Sequence, residues 1–256
     1  MGIDSDMVRA MVKEVSKPAP GKLVSVNGRN MHVFSEGQGD ETFIFMSGCG
    51  TTCPTLDFKP VWSLLSCKHR IAVIDKAGYG WSDAANTPRD LDTLISENRD
   101  ALKLAGIEGP YILVPHSLSG LEALYWAQKY PCEVKAIIGL DPRTPAYEKL
   151  PPKLIVKLLK LAGMFTPDMV NEIKHAKENA EIIKGLPLPS ATPVYFFISG
   201  KNRDKNWKVS LINYLSGFDY SKYLVLDCNH FVYRYEYKKI VDEINTFVES
   251  IGRDPA

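Results

Sequence analysis

Short apolar runs alternate along this chain with longer stretches of helical periodicity. Two early runs, LVSVNG and NMHVFSEG, alternate apolar and polar residues around Asn27-Gly28, which predicts a β-hairpin. Six denser runs predict strands buried on both faces: TFIFMSG, RIAVID, YILVPH, VKAIIGLD, PVYFFISG and YLVLDC. Helical patterns lie between or after them: TLDFKPVWSLLS, TLISENRDALKLAG, GLEALYWAQKYP and YKKIVDEINTFVESIG. This alternation predicts an α/β fold, with a mostly parallel central sheet flanked by helices.

The stretch from about residue 143 to 191 interrupts the alternation. It holds two helical patterns, KLIVKLLKLAGMF and PDMVNEIKHAKENAEIIKG, with no strand between them. We therefore expect a small helical lid inserted after the sixth main strand of a single domain spanning residues 1–256. Its apolar residues are expected to pack on the core for the most part, or to face an uncharged substrate group: Leu154, Ile155, Leu158, Leu159, Leu161, Met164 and Phe165. Its acidic residues are expected on a solvated helix face: Glu148, Asp168, Glu172, Glu178 and Glu181.

Composition narrows the possible partners and the cellular compartment. The 31 Lys and Arg residues nearly balance 30 Asp and Glu, which gives no reason to expect a nucleic-acid partner. No run approaches the ~20 apolar residues of a membrane span. The five cysteines are odd in number and form no C-x-x-C pair, so we expect reduced thiols and a cytoplasmic location. An anchor ahead of the N-terminus stays open as an alternative. The first residues predict an amphipathic helix with Met7, Ala10, Met11 and Val15 on one side.

Ser117 lies directly between a predicted buried strand and a predicted helix, in the segment YILVPHSLSG. Ligands of such sheets bind beyond the carboxyl ends of the strands. A sharp strand-to-helix turn would present the Ser117 hydroxyl there, beside the free N–H groups of the helix N-terminus. A serine on such a turn usually lies in a G-x-S-x-G pattern, and here Pro115 and Ser119 replace the two glycines. Ser119 and Glu122 also match a capping box, but that role leaves Ser117 unexplained.

His230 follows YLVLDC, at the end of the last predicted strand. A lone histidine is usually a surface or core residue, so this position alone assigns His230 no role. The scatter of the remaining histidines offers no metal-ligand spacing, and GCGTTC is not a phosphate loop. We therefore expect neither a metal nor a cofactor.

Three segments together resemble the α/β-hydrolase family, and the resemblance extends from about Gly21 to the C-terminus. VIDKAGYGWSD is similar to the family's D-x-x-G-x-G-x-S loop, VPHSLSGLEALYWAQKYP to its nucleophile elbow and following helix, and LDCNHFVYRYEYKKIVDEINTFV to its final strand, histidine loop and closing helix. The resemblance implies that Ser117 is the nucleophile and His230 the general base. An aspartate at the elbow would instead have implied epoxide or haloalkane chemistry.

The resemblance also implies an oxyanion hole built from two backbone N–H groups. One belongs to Leu118, the residue after the nucleophile. The other belongs to Cys49, in Ser47-Gly48-Cys49-Gly50, where the family usually has His-Gly-x. Gly48 and His116 are expected to line the substrate pocket.

The resemblance further implies a Ser-His-Asp triad, in which an aspartate orients the histidine. Two aspartates remain candidates, because both satisfy the chain order Ser…Asp…His. Asp141 ends the apolar run AIIGLD, where a carboxylate needs a partner such as an imidazole N–H. Asp204 follows the next predicted strand, at the family's commoner acid position, but within the charged loop KNRDK. We favour Asp141 and keep Asp204 as the alternative.

These residues predict a serine hydrolase that cleaves a small or medium uncharged carboxylic ester through an acyl-enzyme. Two alternatives remain: a hydrolase-fold binding protein or receptor with little turnover, and an aminopeptidase-type hydrolase whose lid carboxylate binds an ammonium group. The expected partner is a small-molecule ester. The oligomeric state is not predicted.

Overall fold

An eight-stranded sheet forms the centre of the protein in the computed structural model, which describes residues 13–85, 87–202 and 204–252. Its strands are β1 (Lys22–Val26), β2 (Arg29–Glu36), β3 (Thr42–Met46), β4 (Arg70–Asp75), β5 (Tyr111–Ser117), β6 (Val134–Pro142), β7 (Val194–Ser199) and β8 (Ser221–Leu226). Their order across the sheet is β1-β2-β4-β3-β5-β6-β7-β8. Strands β3 to β8 are parallel, and β1 and β2 are antiparallel. The predicted mostly parallel sheet is confirmed.

Helices cover both faces of this sheet. They are α1 (Pro54–Asp57), α2 (Lys59–Leu65), α3 (Leu91–Ala105), α4 (Ser119–Lys129), α5 (Lys153–Leu161), α6 (Pro167–Lys184), α7 (Lys205–Leu215), α8 (Val232–Tyr235) and α9 (Tyr237–Ile251), with a 3₁₀ turn at Pro131–Glu133. Successive side chains of a strand point to opposite faces, so Ile44 of β3 packs in the cluster that includes α3, α4 and α7. Its neighbour Phe45 packs in the cluster that includes α2 and α9. None of the helices in these ranges is long and apolar enough to cross a bilayer.

The start of the chain gives two outcomes for the predictions. The hairpin is present: Val26 pairs with Arg29 across a two-residue turn. Both turn residues, Asn27 at φ 51° and Gly28 at φ 74°, have the positive φ that a type I′ turn requires. The predicted N-terminal helix, including Met7, Ala10 and Met11, lies mostly outside the described residues.

Strand β8 corrects the expectation that all six dense runs are buried on both faces. It is an edge strand, and most of its side chains are exposed, among them Tyr223 and Val225. High β-propensity reflects the fit of β-branched and aromatic residues to a pleated surface, so it does not distinguish an edge strand from a central one.

Two helices, α5 and α6, connect β6 to β7 without an intervening strand, as the periodicity of this stretch predicts. We call residues 143–193 the insertion. The expectation that most of its apolar residues pack on the core is wrong for α5: Leu154, Ile155, Leu158 and Leu161 are exposed. Only the opposite side of α5, which carries Val156 and Leu159, faces the protein.

The predicted capping box at the start of α4 is also absent. The Ser119 hydroxyl donates to the carbonyl of Met46 at 2.7 Å, and the first turn of α4 has no side-chain cap. Glu122 bonds the ammonium of Lys76. The helix has Leu118 as its N-cap, so Ser119 lies one residue past the capping position, and Lys76 holds the Glu122 carboxylate.

Candidate active site

Ser117 lies at the junction of β5 and α4, and its backbone is held in the left-handed region at φ 54°. This turn is tightly enclosed. A Cβ at Gly48 would come within 2.6 Å of the Ser117 Cβ and 2.9 Å of the Leu118 nitrogen. Glycine is therefore required at position 48, because any side chain would collide with the turn. The packing brings the loop after β3 against the residue that was predicted to be the nucleophile.

His230 lies in the loop between β8 and α8, and both of its ring nitrogens are within hydrogen-bond distance of a predicted site residue. Nε2 is 2.8 Å from the Ser117 Oγ, and Nδ1 is 2.6 Å from the Asp141 Oδ2. With the proton on Nδ1 donated to the carboxylate, Nε2 can accept the proton of the Ser117 hydroxyl. The imidazole remains about a quarter exposed, so one edge is open to an incoming molecule.

Asp141 is fully buried near the end of β6, and several donors surround its carboxylate. Besides His230, it accepts from the Ser199 amide at 2.9 Å, the Ser199 hydroxyl at 2.6 Å and the Trp207 Nε1 at 2.9 Å. A buried carboxylate is costly without such partners. Its backbone, like that of Ser117, lies in the left-handed region, at φ 50°.

Asp204 makes different contacts. Its carboxylate caps α7 by accepting from the Asn206 amide at 3.0 Å, and it also bonds the Tyr147 hydroxyl at 2.8 Å and the Lys149 ammonium at 2.9 Å. Lys149, followed by Tyr147, lowers the pKa of Asp204 to about 2. Of the two predicted acids, it is Asp141 that contacts His230.

The two residues predicted to form an oxyanion hole lie on the loops that meet at Gly48. Leu118 is the N-cap of α4, and Cys49 follows Gly48. The Cys49 thiol donates to the Met169 carbonyl at 3.4 Å, and burial raises its pKa above the ordinary range. The thiol is therefore protonated near neutral pH, and any role of Cys49 in binding an oxyanion belongs to its backbone N–H.

His116, predicted to line the pocket, is buried beneath the loop that carries His230. Its Nε2 donates to the His230 carbonyl at 3.2 Å, and its ring lies 4.7 Å from the His230 ring and 4.9 Å from that of Tyr233. Burial, followed by the proximity of His230, holds the pKa of His116 well below its usual range. A neutral, enclosed imidazole here supports the histidine loop. Gly48 is buried as well.

A buried ionic cluster lies on the α4 side of the elbow. The Lys76 ammonium, in the loop after β4, contacts the Glu122 carboxylate at 2.7 Å and the Glu172 carboxylate at 2.8 Å. Burial opposes the charge of Lys76, but the two carboxylates outweigh that effect and raise its pKa. A cavity of about 10 Å³ adjoins the cluster and is bordered by Leu118, Glu122 and Glu172.

This cluster corrects the expectation for the acidic residues of the insertion. Glu172 and Asp168 are buried, whereas Glu148, Glu178 and Glu181 are exposed. Buried cations explain the difference for Glu172, which pairs with Lys76. No group of three or more His, Cys, Asp or Glu residues within the described ranges is arranged to hold a metal ion.

The sequence model of a family described as the alpha/beta hydrolase fold matches residues 54–255. The chain belongs to the α/β-hydrolase family. A protein of Bacillus subtilis (strain 168), described as the uncharacterized protein YbdG, is 34% identical to this α/β-hydrolase over 234 residues, covering 74% of this chain and 72% of YbdG. The uncharacterized protein YqjL of the same organism is 29% identical over 122 residues, which cover 47% of each chain.

Solved structures are similar to this α/β-hydrolase over most of its length. An epoxide hydrolase mutant of Vigna radiata superposes with a TM-score of 0.70 at 16% identity, covering 90% of this chain and 98% of that one. The enol-lactonase of Burkholderia xenovorans LB400 gives 0.64 at 14% identity, covering 89% and 100%. At such low identity these likenesses establish the fold, and function has to be argued from the site.

Sequence reasoning missed Ser199 and Trp207, the further partners of Asp141. Ser199 ends β7 next to β6, so neighbouring parallel strand ends were a usable signal for it. Trp207 lies on α7, a helix that was not predicted. Lys76 was also missed, although a lysine directly after the buried strand RIAVID is unusual enough to mark a buried ion pair.

Proposed function

We propose that this α/β-hydrolase is a serine hydrolase that cleaves a carboxylic ester through an acyl-enzyme. Ser117 is the nucleophile, His230 the general base and Asp141 the acid that orients it. The observation that carries the proposal is the pair of contacts made by His230, at 2.8 Å to the Ser117 hydroxyl and 2.6 Å to the Asp141 carboxylate. Nucleophilic acyl transfer uses a nucleophile that contacts its base, and a third group that orients the base. His230 makes both of these contacts.

In the first half of the reaction, the Ser117 Oγ attacks the carbonyl carbon of the ester while its proton passes to the His230 Nε2. The carbonyl oxygen becomes an oxyanion that accepts hydrogen bonds from the backbone N–H groups of Cys49 and Leu118. The tetrahedral intermediate then expels the alcohol, which takes the proton back from His230. The buried Asp141 carboxylate stabilises the transient imidazolium and remains ionised itself.

In the second half, water attacks the acyl-enzyme. His230 removes a proton from this water, the Ser117–acyl bond breaks, and the proton passes to the Ser117 oxygen. The carboxylic acid leaves and the enzyme returns to its starting state. Every proton in this cycle moves through the Nε2 of one imidazole.

An uncharged substrate is better supported than the ammonium group of an aminopeptidase substrate. Glu172, a buried carboxylate of the insertion that borders the same small cavity as Leu118, is already paired with Lys76. A substrate cation would have to enter this buried cluster and share the Glu172 carboxylate with the ammonium of Lys76. Cys49 is instead flanked by apolar side chains of the insertion, Phe165 and Met169.

A fluorophosphonate probe tests the nucleophile. We expect stoichiometric labelling on Ser117, no labelling of Ser117→Ala, and a loss of about 10⁶-fold in kcat for that variant on nitrophenyl esters, by analogy with serine proteases. Ser119→Ala is the matched control. The Ser119 hydroxyl donates to the Met46 carbonyl, so this variant should still be labelled. A folded wild-type chain that resists the probe would favour a binding protein with little turnover.

The identity of the acid has its own test. Asp141→Asn should lower kcat by about 10⁴-fold, because the amide can no longer hold His230 in the required tautomer. Asp204→Asn should retain most of the activity, because Asp204 contacts Tyr147, Lys149 and the start of α7. Single-turnover rates of both variants, with their folding checked by circular dichroism, decide between the two aspartates. The opposite ranking would assign the acid to Asp204.

A further inference from the structure

Helix α5 of the insertion turns a row of large apolar side chains toward solvent. We call this row the exposed stripe: Leu154 is 68% exposed, Ile155 45%, Leu158 55% and Leu161 74%. Single exposed leucines are ordinary on protein surfaces, but four on one helix of nine residues form a contiguous apolar surface. No other helix in the described ranges carries so many of the large exposed apolar side chains.

Lysines lie along one border of the exposed stripe. At roughly 100° per residue, Lys153, Lys157 and Lys160 fall within a sector about 60° wide, adjacent to Leu161 and Leu154. The structure gives their ammonium groups no ion pair or hydrogen bond with any described residue. From residue 150 to 167 the chain has these three lysines and neither aspartate nor glutamate, although the whole chain has a net charge of only +1. The positive charge is thus concentrated around the stripe.

We propose that α5 is a docking surface for an anionic lipid surface. Apolar side chains on one sector and lysines beside them are the pattern of a helix that lies in a membrane interface, with its leucines among the acyl chains and its ammonium groups at the phosphates. Charge decides the occupant. An uncharged partner would leave the three lysines without a function, whereas an anionic lipid surface satisfies them together with the leucines.

The position of α5 gives this docking a consequence for the site. Its inner side, through Val156 and Leu159, packs on Tyr79, Phe165 and Met169, and Cys49 borders the same cluster. The docked membrane would therefore lie over the side of the protein where Cys49 is found. A water-insoluble ester dissolved in that membrane would be delivered close to the proposed oxyanion hole. Membrane binding is separate from the proposed function, because it can be measured without any ester hydrolysis.

Vesicle co-sedimentation of the full chain tests the proposal. We expect binding to vesicles of phosphatidylcholine mixed with phosphatidylglycerol, much weaker binding to phosphatidylcholine alone, and a decrease as salt is raised, because salt screens surface charge. Lys153→Gln, Lys157→Gln and Lys160→Gln combined should weaken partitioning by about 100-fold, at roughly fivefold per lysine. Leu154→Ser, Leu158→Ser and Leu161→Ser combined should weaken it by at least about tenfold.

Lys103→Gln with Leu104→Ser is the matched control, because these neighbours on α3 are also an exposed lysine and an exposed leucine. This variant should bind as the wild type does. All substituted side chains are exposed, and the lysine and leucine variants test the surface independently if either one folds poorly. Equal binding to both kinds of vesicle, or retained binding in the two triple variants, overturns the proposal. A wild-type dimer that the leucine variant dissociates, without vesicle binding, would assign the stripe to a second copy of the chain.

Discussion

At the scale of single residues, the Asp141 carboxylate depends on donors contributed by other elements. Ser199 of β7 supplies two hydrogen bonds and Trp207 of α7 supplies one. These contacts fix the two carboxylate oxygens, so that Oδ2 remains directed at the His230 Nδ1. The orientation of the imidazole is thus set by donors that lie three contacts away from Ser117, the proposed nucleophile.

Removing the indole donor should therefore slow the reaction without unfolding the protein. We expect Trp207→Phe to lower kcat by about tenfold to 100-fold, because a hydrogen bond to a charged group contributes about 1.5–3 kcal/mol. Trp62→Phe is the control: its indole donates to the Thr55 carbonyl at 2.7 Å, away from Asp141. If both variants lose the same activity when their thermal midpoints are matched, Trp207 has no special part in positioning Asp141.

At the scale of elements, one lysine joins the insertion to the body of the domain. Lys76 follows β4 and pairs with Glu122 on α4 and Glu172 on α6, so three separate elements converge on one ammonium. All three side chains are nearly inaccessible to solvent. Movement of α6 away from α4 would have to separate buried opposite charges, and the cluster therefore opposes opening of the insertion.

Lys76→Met should destabilise the protein strongly, because it leaves two buried carboxylates without a cation. We expect a loss of about 3–5 kcal/mol in the free energy of unfolding. Lys129→Met is the control, since it removes an ion pair with Asp92 at the surface and should cost about 1 kcal/mol or less. Urea unfolding followed by circular dichroism measures both values. Equal losses of unfolding free energy in the two variants would mean that the Lys76 cluster contributes no more than a solvent-exposed ion pair.

The hydrophobic periodicity of each segment determined which helices and strands could be predicted from the sequence. The strands and the long helices were predicted because each shows its own periodicity, whereas α7 was missed because KNWKVSLINYL mixes polar and apolar residues without a clear face. Asp204 is the N-cap of that helix, and this structural role accounts for an aspartate in the charged loop KNRDK. Both Asp141 and Asp204 lie between Ser117 and His230 in the chain, so chain order alone could not decide which of them is the acid.

At the scale of the whole molecule, what the sequence could not supply was contact between distant segments. Ser117 and His230 could be proposed separately because each lies just after a predicted strand, in a segment that resembles an α/β-hydrolase motif, although they lie 113 positions apart. The partners of Lys76 are 46 and 96 positions away, and no local pattern marks them. The outward face of α5 escaped prediction for a related reason: a periodic apolar side indicates a helix, but it does not state what the helix faces.

The left-handed backbone at Ser117 has one further consequence. Holding a residue other than glycine in such a conformation costs about 1–3 kcal/mol, which the rest of the fold has to supply. Ser117→Gly would relieve that strain and remove the hydroxyl in a single step. Under the proposed function, selection of this chain for heat tolerance alone would thus tend to favour inactive clones, and directed evolution should screen for ester hydrolysis in every round.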